Sequence, residues 1–163
     1  MMVVASVAAA EPAAAVKTFI VLRHAEADAS VPGKDPPLSE LGRRRAEELA
    51  RVVGDTQLQG IFSTNLQRTQ RTAAPLAHRA GRSVTVIDDV AATVAALREE
   101  PWGATVAVVG HSNTVGKIVA GLTGQPFPAD EKVGFDQIWI VTVPREGATT
   151  VVRLRYGPPP GTQ

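Results

Sequence analysis

The 163-residue chain has no cysteine, almost no net charge and no hydrophobic run long enough to cross a bilayer. The absence of cysteine excludes a disulfide framework, a thiolate metal site and a cysteine nucleophile. A formal net charge of +1 provides no overall field that would attract nucleic acid. The arginines at 43–45 are too few to alter that, and we expect them on the solvated face of a helix. The remaining composition, 44% hydrophobic and 20% charged, is typical of a single globular domain.

Residues 1–15 are alanine-rich and differ in composition from the rest of the chain. Their apolar run is far shorter than a membrane span. The small residues Ala8 and Ala10 resemble the cleavage site of a secretory signal, although the basic region that normally precedes the apolar run is missing. We therefore expect a periplasmic or secreted location in preference to a cytoplasmic one. The alternative is an alanine-rich tail.

Three short apolar runs each lead into a basic or imidazole side chain. Residues 18–22 are followed by Arg23 and His24, residues 60–62 lead to Arg68, and residues 106–109 lead to His111. Each run has the length and composition of a buried strand. Because the carboxyl ends of parallel strands meet at one edge of a sheet, we expect these four side chains to line one crevice.

Helical patterns alternate with the strand patterns. The predicted strands cover residues 18–22, 61–64, 84–87, 105–109, 137–143 and 149–156. The predicted helices cover residues 39–53, 65–80, 90–100 and 111–122. A Pro-Arg-Glu-Gly turn joins the last two strands into a hairpin. The pattern predicts a three-layer α/β/α sandwich around a mostly parallel sheet, with an antiparallel C-terminal hairpin.

N-cap residues, a proline and a glycine add detail to the predictions for the first two helices. Ser39 and Asn65 are typical N-cap residues, and Pro75 is expected to kink or split the second helix. Gly42, in the first turn of the first helix, costs about 1 kcal/mol relative to alanine. A close backbone contact would explain its presence.

Two arginines and two histidines in one crevice suit an anion. A guanidinium stays charged and presents a planar fork to phosphate oxygens, and a neutral imidazole beside it can attack phosphorus. Arg68 lies near the positive end of its helix dipole, which either a bound anion or a neighbouring acid would compensate. A lone histidine at a strand end is more often a satisfied core residue. His78, without such neighbours in the pattern, is expected at the surface.

Four segments resemble those of the histidine phosphatase superfamily, in its order and spacing. They match the patterns R-H-G/A-E, D-x-x-L-[ST]-x-x-G, S-x-x-x-x-R-[TA]-x-x-T-A and G-H-[SG], at residues 23–26, 35–42, 63–73 and 110–112. The resemblance extends from about residue 17 to about residue 156. It is strongest to the small SixA-like members of the phosphoglycerate mutase-like branch. It implies a phosphatase domain at 16–157, between the 1–15 segment and a proline-rich tail at 158–163.

The resemblance implies a cofactor-independent phosphatase acting on phosphomonoesters or phosphohistidine. His24 would become phosphorylated, while Arg23, Arg68 and His111 would hold the phosphoryl group. Glu26 matches the first segment and is expected to orient neighbouring groups or to contact the substrate. Three further candidate ligands of the phosphate or substrate are Ser30, Ser112 and Asn113.

The sequence leaves the identity of the general acid open. Asp88 and Asp89 are the acidic residues in the region where phosphoglycerate mutases carry a glutamate, and they could equally end a strand and cap the next helix. The chain has no room for the insertion that encloses the substrate of the mutases. We therefore expect an open pocket that favours hydrolysis.

Other functions are weaker fits. A mutase-type phosphotransferase and a non-catalytic phosphate-binding module stay as alternatives. A serine esterase is disfavoured because Thr114 replaces the last glycine of the nucleophile elbow, and a metal hydrolase because no H-E-x-x-H or H-x-H spacing occurs. We expect no metal, no cofactor, no nucleic-acid partner and no stable membrane insertion. The expected partner is a phosphorylated small molecule or a phosphoprotein.

Overall fold

The computed structural model describes residues 16–128 and 130–159. The strands are β1 (Val16–Arg23), β2 (Leu58–Ser63), β3 (Thr85–Val86), β4 (Thr105–Gly110), β5 (Gln137–Pro144) and β6 (Thr150–Arg155). The helices are α1 (Glu40–Val53), α2 (Gln67–Ala80), α3 (Val90–Glu99) and α4 (Val115–Thr123). Among the described residues, no helix combines the length and the apolar character that a bilayer span requires. The predicted signal-like segment lies outside the described residues, so the predicted domain limits and location stay predictions.

The six strands form one sheet in the order β3-β2-β4-β1-β5-β6. Strands β1 to β4 are parallel, whereas β5 is antiparallel to β1 and pairs with β6 as a hairpin. The predicted mostly parallel sheet with an antiparallel C-terminal hairpin is therefore confirmed. Arg23 is in register with Gly110, and Ser63 with Val109, so β1, β2 and β4 end at the same edge. Because β5 runs in the opposite direction, its first residues lie at that edge too.

Helices cover both faces of the sheet, which confirms the three layers. One core lies under α1 and α2 and includes the fully buried Leu22, Leu49, Ile61 and Leu76. The other lies under α3 and α4 and includes the fully buried Val21, Leu97, Val106 and Val115. Each such aliphatic side chain contributes about 1.5–3 kcal/mol of burial free energy. The two cores together make the sheet edge a rigid platform for the residues that follow the strands.

Helix α1 begins as predicted after Ser39, whose hydroxyl accepts a hydrogen bond from the backbone N–H of Gly42 (3.0 Å). A Cβ on Gly42 would lie 2.1 Å from the carbonyl oxygen of Glu26, so glycine is required for this approach. The backbone N–H of Ser39 donates to the same carbonyl (2.9 Å). The close backbone contact predicted for Gly42 therefore fixes α1 against the chain just beyond His24.

Helix α2 departs from the prediction at its start. Its N-cap position is Leu66 rather than Asn65, and Leu66 provides no side-chain cap. The Asp35 carboxylate instead accepts hydrogen bonds from the backbone N–H of Gln67, at 2.9 and 3.0 Å. The helix is continuous through Pro75, so it is not split there, and the kink that was the other expectation stays a prediction. The loop between β1 and α1 thus supplies the cap that the local sequence lacks.

Two further local predictions are wrong. Residues 111–114 form a turn ahead of α4 instead of its first turn. Arg45 is fully buried, whereas Arg43 and Arg44 are exposed as predicted. Arg45 precedes Leu49 by four residues and therefore lies on the apolar stripe of α1. In the sequence, the three consecutive arginines look alike, although only one of them is buried.

Candidate active site

The predicted crevice lies where β1, β2 and β4 end. Arg23 is the last residue of β1, and the backbone N–H of His24 donates to the carbonyl oxygen of Gly110 at the end of β4 (2.9 Å). The imidazole rings of His24 and His111 lie edge to face, with their centroids 5.3 Å apart. Burial lowers the pKa of both histidines, and the charges of Arg23 and Arg68 lower it further. The structure therefore brings together the four residues that the strand pattern singled out.

His24 is buried, with 7% of its surface exposed. Its Nδ1 lies 2.7 Å from the carbonyl oxygen of Ala25. Because a carbonyl can only accept, we assign the proton to Nδ1, which leaves the lone pair of Nε2 free. Burial, reinforced by the charges of His111 and the two arginines, lowers the pKa of His24 to about 4. The ring is thus neutral and nucleophilic at physiological pH.

A buried threonine connects the His24 segment to the helix that carries Arg68. The backbone N–H of Ala25 donates to Thr72 Oγ1 (2.9 Å), and the Thr72 hydroxyl donates to the backbone carbonyl of Arg68 (2.6 Å). Thr72 is fully buried. These two hydrogen bonds fix the position of Ala25, and with it the carbonyl that sets the His24 tautomer, relative to α2.

Arg23 is held by the segment between α4 and β5. Its Nη1 donates to the carbonyl oxygen of Val133 (3.1 Å), and its guanidinium carbon lies 3.7 Å from the ring centroid of Phe135. Its Nε is buried and has no hydrogen-bond partner among the described residues. A buried polar group without a partner costs about 1–3 kcal/mol, and more when it is charged. An anion beside His24 would satisfy this donor.

Arg68 has a neighbouring acid, which is one of the two explanations that the sequence left open, and the bound anion stays a prediction. Its Nη1 donates to the carbonyl oxygen of Lys34 (3.2 Å) and lies 3.5 Å from the Asp35 carboxylate. Its charge nevertheless reaches His24 and His111, where it lowers the pKa of each ring. Arg68 is therefore paired with an acid and also contributes positive potential to the crevice.

His111 is oriented by hydroxyl groups at the end of β2. Its Nε2 lies 3.0 Å from Thr64 Oγ1, which lies 2.8 Å from Thr69 Oγ1. Burial lowers the pKa of His111, the charges of Arg68 and Arg23 lower it further, and Asp88 opposes them. A phosphate dianion would offset the arginines and favour the protonated ring.

The two aspartates after β3 have different surroundings. Asp89 caps α3, where its carboxylate accepts from the backbone N–H of Ala92 (2.8 Å). Asp88 accepts from the backbone N–H of Asn65 (2.8 Å) and lines a small cavity with Thr64. Its charge also raises the pKa of His111. Of the two candidate acids, Asp88 is the one whose charge acts on His111, and Asp89 has the capping role that the sequence left open.

Glu26 pairs with Arg45 instead of remaining free for a substrate. Nε and Nη2 of Arg45 lie 2.7–3.0 Å from the Glu26 carboxylate. The same guanidinium donates to the carbonyl oxygens of Tyr156 (3.1 Å) and Pro158 (3.0 Å). Glu26 therefore orients its neighbours, as one of the two expectations had it, and the start of the predicted tail is anchored.

Three candidate ligands are not brought into the crevice by any contact in the described residues. Ser30 is exposed, and its hydroxyl donates to Asp28 (2.6 Å). Ser112 and Asn113 are exposed and line a separate depression beside Lys117. Their role in binding phosphate stays a prediction. Within residues 16–128 and 130–159, no three or more His, Asp or Glu side chains are grouped so as to hold a metal ion.

Sequence reasoning missed the contributions of Thr64, Thr72, Val133 and Phe135. The two threonines lie inside the segment 63–73, in which only Arg68 was given a role. Val133 and Phe135 precede β5. The predicted antiparallel hairpin was the one feature of the sequence that could have pointed to them. A strand that runs against β1 must begin at the edge where β1 ends, so the residues before it meet Arg23.

Comparison with known proteins finds a family whose members are similar to the part of the chain that forms this edge. The family model of the histidine phosphatase superfamily (branch 1) matches residues 19–91, which include Arg23, His24 and Arg68. Over this part of its length, just under half of the chain, the sequence is similar to this superfamily. A glucosyl-3-phosphoglycerate phosphatase of Mycobacterium tuberculosis is 37% identical to it over 75 residues, which cover 43% of this chain and 34% of that protein. The match thus spans about a third of the length of this curated relative.

Solved structures of the superfamily share the fold. A mycobacterial glucosyl-3-phosphoglycerate phosphatase superposes with a TM-score of 0.64 at 23% identity, covering 78% of this chain and 90% of that one. A SixA protein from Nakamurella multipartitia, a candidate phosphohistidine phosphatase, superposes with a TM-score of 0.61 at 22% identity, covering 79% and 86%. At these identities the likeness establishes the α/β fold alone.

Proposed function

We propose that this chain is a phosphatase that hydrolyses phosphomonoesters or phosphohistidine through a phosphohistidine intermediate at His24. The observation that carries the proposal is a neutral, buried imidazole beside an unpartnered guanidinium donor. His24 has a free Nε2, and Arg23 Nε lacks a partner among the described residues. A nucleophile and an unsatisfied cationic donor at one sheet edge match the two needs of phosphoryl transfer.

The first step forms a bond between His24 Nε2 and phosphorus while the bond from phosphorus to the leaving group breaks. Arg23, Arg68 and His111 would stabilise the negative charge on the equatorial oxygens. In the second step water attacks phosphorus, the P–N bond breaks and its electron pair returns to Nε2. Inorganic phosphate leaves and His24 is again neutral. The Ala25 carbonyl keeps Nδ1 protonated through both steps.

The leaving group needs a proton in the first step, and water must lose one in the second. Asp88 and His111 are the candidates because each is linked to Thr64, Asp88 by the shared cavity and His111 by its hydrogen bond. A His111 protonated in the presence of a phosphate dianion would serve as a donor as well as a cation. Asp88 raises the pKa of His111 and thereby supports that protonated form.

The relatives suggest the substrates to test. By their names, one acts on glucosyl-3-phosphoglycerate and another is a candidate phosphatase of phosphohistidine. Both groups present a terminal phosphoryl dianion, which is the part that Arg23, Arg68 and His111 would bind. We therefore define the substrate class by this dianion rather than by the group that carries it.

The proposal is tested by phosphate release from 4-nitrophenyl phosphate, with and without a metal chelator. We expect wild-type turnover to survive the chelator and His24→Ala to lose roughly 10³-fold or more of it. His78→Ala is the matched control, because His78 is exposed on α2 as predicted and should retain full activity. Circular dichroism of each variant verifies that the fold is intact.

Three results would contradict the proposal. Turnover that persists in a folded His24→Ala protein would exclude His24 as the nucleophile, and turnover abolished by the chelator would indicate a metal hydrolase. A folded wild-type protein that binds phosphate and hydrolyses neither the aryl phosphate, glucosyl-3-phosphoglycerate nor a phosphohistidine peptide would instead be a binding module.

A further inference from the structure

The segment between α4 and β5 puts an aromatic ring against the site. Phe135 is partly buried, and its ring centroid lies 5.9 Å from that of His24. Its face is covered by the guanidinium of Arg23, with 3.7 Å between the guanidinium carbon and the ring centroid. The same ring therefore contacts both the proposed nucleophile and one of the cations that flank it.

This segment is anchored on both sides of Phe135. Val133 is buried, and the backbone N–H of Gly134 donates to Gln137 Oε1 (2.9 Å). The buried Asp136 accepts a hydrogen bond from Arg155 on β6 (2.6 Å). A ring between such anchors has little freedom to move away from Arg23. The stacking contact is thus part of the folded structure of the segment.

Arg23 is constrained in two independent directions. The Val133 carbonyl accepts from Nη1 (3.1 Å), which fixes one end of the guanidinium, and the Phe135 face fixes its plane. A planar cation on an aromatic face is held both by the ring quadrupole and by stacking. Because the plane of the guanidinium is fixed, its buried Nε–H bond points in one direction. This Nε has no hydrogen-bond partner among the described residues.

We propose that Phe135 is a positioning residue whose ring holds the guanidinium of Arg23 in the orientation that binds a phosphoryl group. This inference rests on the proposed function, because it requires that Arg23 contact the phosphoryl group. Phe135 itself forms no bond to the substrate in this account. Its effect on phosphate affinity passes entirely through Arg23.

The test is the affinity of the intact protein for inorganic phosphate, measured by NMR titration, which can follow weak binding. Phe135→Leu keeps an apolar side chain but removes the aromatic face. We expect it to weaken phosphate binding on the order of three- to thirty-fold, the range of a partly desolvated cation–π contact. Phe135→Tyr keeps the face and should restore affinity to within twofold of wild type.

The control uses the other phenylalanine of the same segment. Phe127 makes an edge-to-face contact with Trp139, with 4.9 Å between ring centroids, and makes no cation–π contact with Arg23 among the described residues. Phe127→Leu should therefore leave phosphate affinity within about twofold of wild type, since it removes a ring of the same kind without touching Arg23. Thermal unfolding of each variant verifies that the compared proteins are folded.

A double-mutant cycle separates positioning from general packing. If Phe135 acts through Arg23, then Phe135→Leu should have less than about a twofold effect in an Arg23→Ala background. The inference is overturned if the full effect persists in that background, or if Phe135→Leu binds phosphate as wild type does. Wild-type binding and turnover that depend on His24 would still uphold the proposed function in those cases. A folded wild-type protein with neither phosphate affinity nor turnover would overturn both.

Discussion

At the scale of single residues, His24 shows how its surroundings select one chemical form. An imidazole in water has a pKa of about 6.5. Burial and the neighbouring cations lower the pKa of His24 to about 4, and the Ala25 carbonyl selects the tautomer with a free Nε2. The folded protein thus stabilises the nucleophilic form at the expense of the protonated form. That selection has a measurable consequence for stability.

Acid should destabilise the fold through His24. The unfolded chain protonates this ring near pH 6.5, but the folded chain does so only near pH 4, so the unfolded state holds more protons between these values. Stability therefore falls as the pH is lowered through that window. From pH 7 to pH 5, we expect wild type to lose on the order of 1–2 kcal/mol of unfolding free energy relative to His24→Gln. Urea denaturation at both pH values measures the difference. A difference between the two proteins that does not change with pH would contradict the lowered pKa.

At the scale of elements, α2 is organised by a loop distant in sequence. Asp35 accepts from the backbone N–H of Gln67, the Gln67 side chain donates to the Asp35 carbonyl (3.1 Å), and Arg68 donates to the Lys34 carbonyl. The loop that follows β1 is thereby joined to the helix that carries Arg68. Both the start of α2 and the orientation of Arg68 depend on Asp35.

Removing this cap should lower stability. We expect Asp35→Ala to cost about 1 kcal/mol of unfolding free energy, the usual loss for an N-cap carboxylate. Asp35→Asn should recover most of it because an amide oxygen still accepts the hydrogen bond. The control is Asp55→Ala, which removes an aspartate 85% exposed and paired with Arg79, and should change stability by less than about 0.5 kcal/mol.

Urea denaturation of the three variants measures these differences in unfolding free energy. If Asp35→Ala were no less stable than Asp55→Ala, then the two hydrogen bonds to Gln67 would not stabilise the start of α2.

The helices and strands could be predicted from the sequence because each depends on the spacing of apolar residues and the composition of its own segment. The apolar runs at residues 18–22 and 106–109 lie within β1 and β4, and Ser39 caps α1 through its own neighbour Gly42. The cap of α2 was not accessible because its donor and acceptor are 32 residues apart in the chain. Arg23 and His24 were found because they end a strand, whereas Phe135 was missed because it precedes one.

At the scale of the whole molecule, Arg45 links the first loop of the site to the last strand. It is fully buried, holds Glu26 two residues beyond His24, and donates to carbonyl oxygens that follow β6. One guanidinium therefore joins the segment that follows β1 to the segment that follows β6. A run of three arginines predicts solvent exposure, and only the position of Arg45 on the apolar stripe of α1 indicated otherwise.

Breaking the ion pair between Arg45 and Glu26 should lower the stability of the fold. Arg45→Met leaves the Glu26 carboxylate largely buried without its partner, so we expect a loss of about 3–5 kcal/mol of unfolding free energy. The double variant Arg45→Met with Glu26→Gln should be more stable than Arg45→Met because no charge is left unpaired. Urea denaturation measures both.

Arg44→Ala is the matched control on the same helix, since the Arg44 side chain is 67% exposed. It should change the unfolding free energy by less than about 0.5 kcal/mol. The structural account of Arg45 fails if Arg45→Met is as stable as Arg44→Ala.

The most direct test of the proposed chemistry is to detect the phosphoryl group on His24 during turnover. The wild-type protein is mixed with 4-nitrophenyl phosphate, quenched in alkali at successive times, digested and analysed by mass spectrometry. We expect a phosphorylated peptide with the modification on His24, formed and lost at rates that account for phosphate release, and absent from His24→Ala. Phosphate release at the full rate without phosphorylation of His24, or with the phosphoryl group on another residue, would contradict the mechanism.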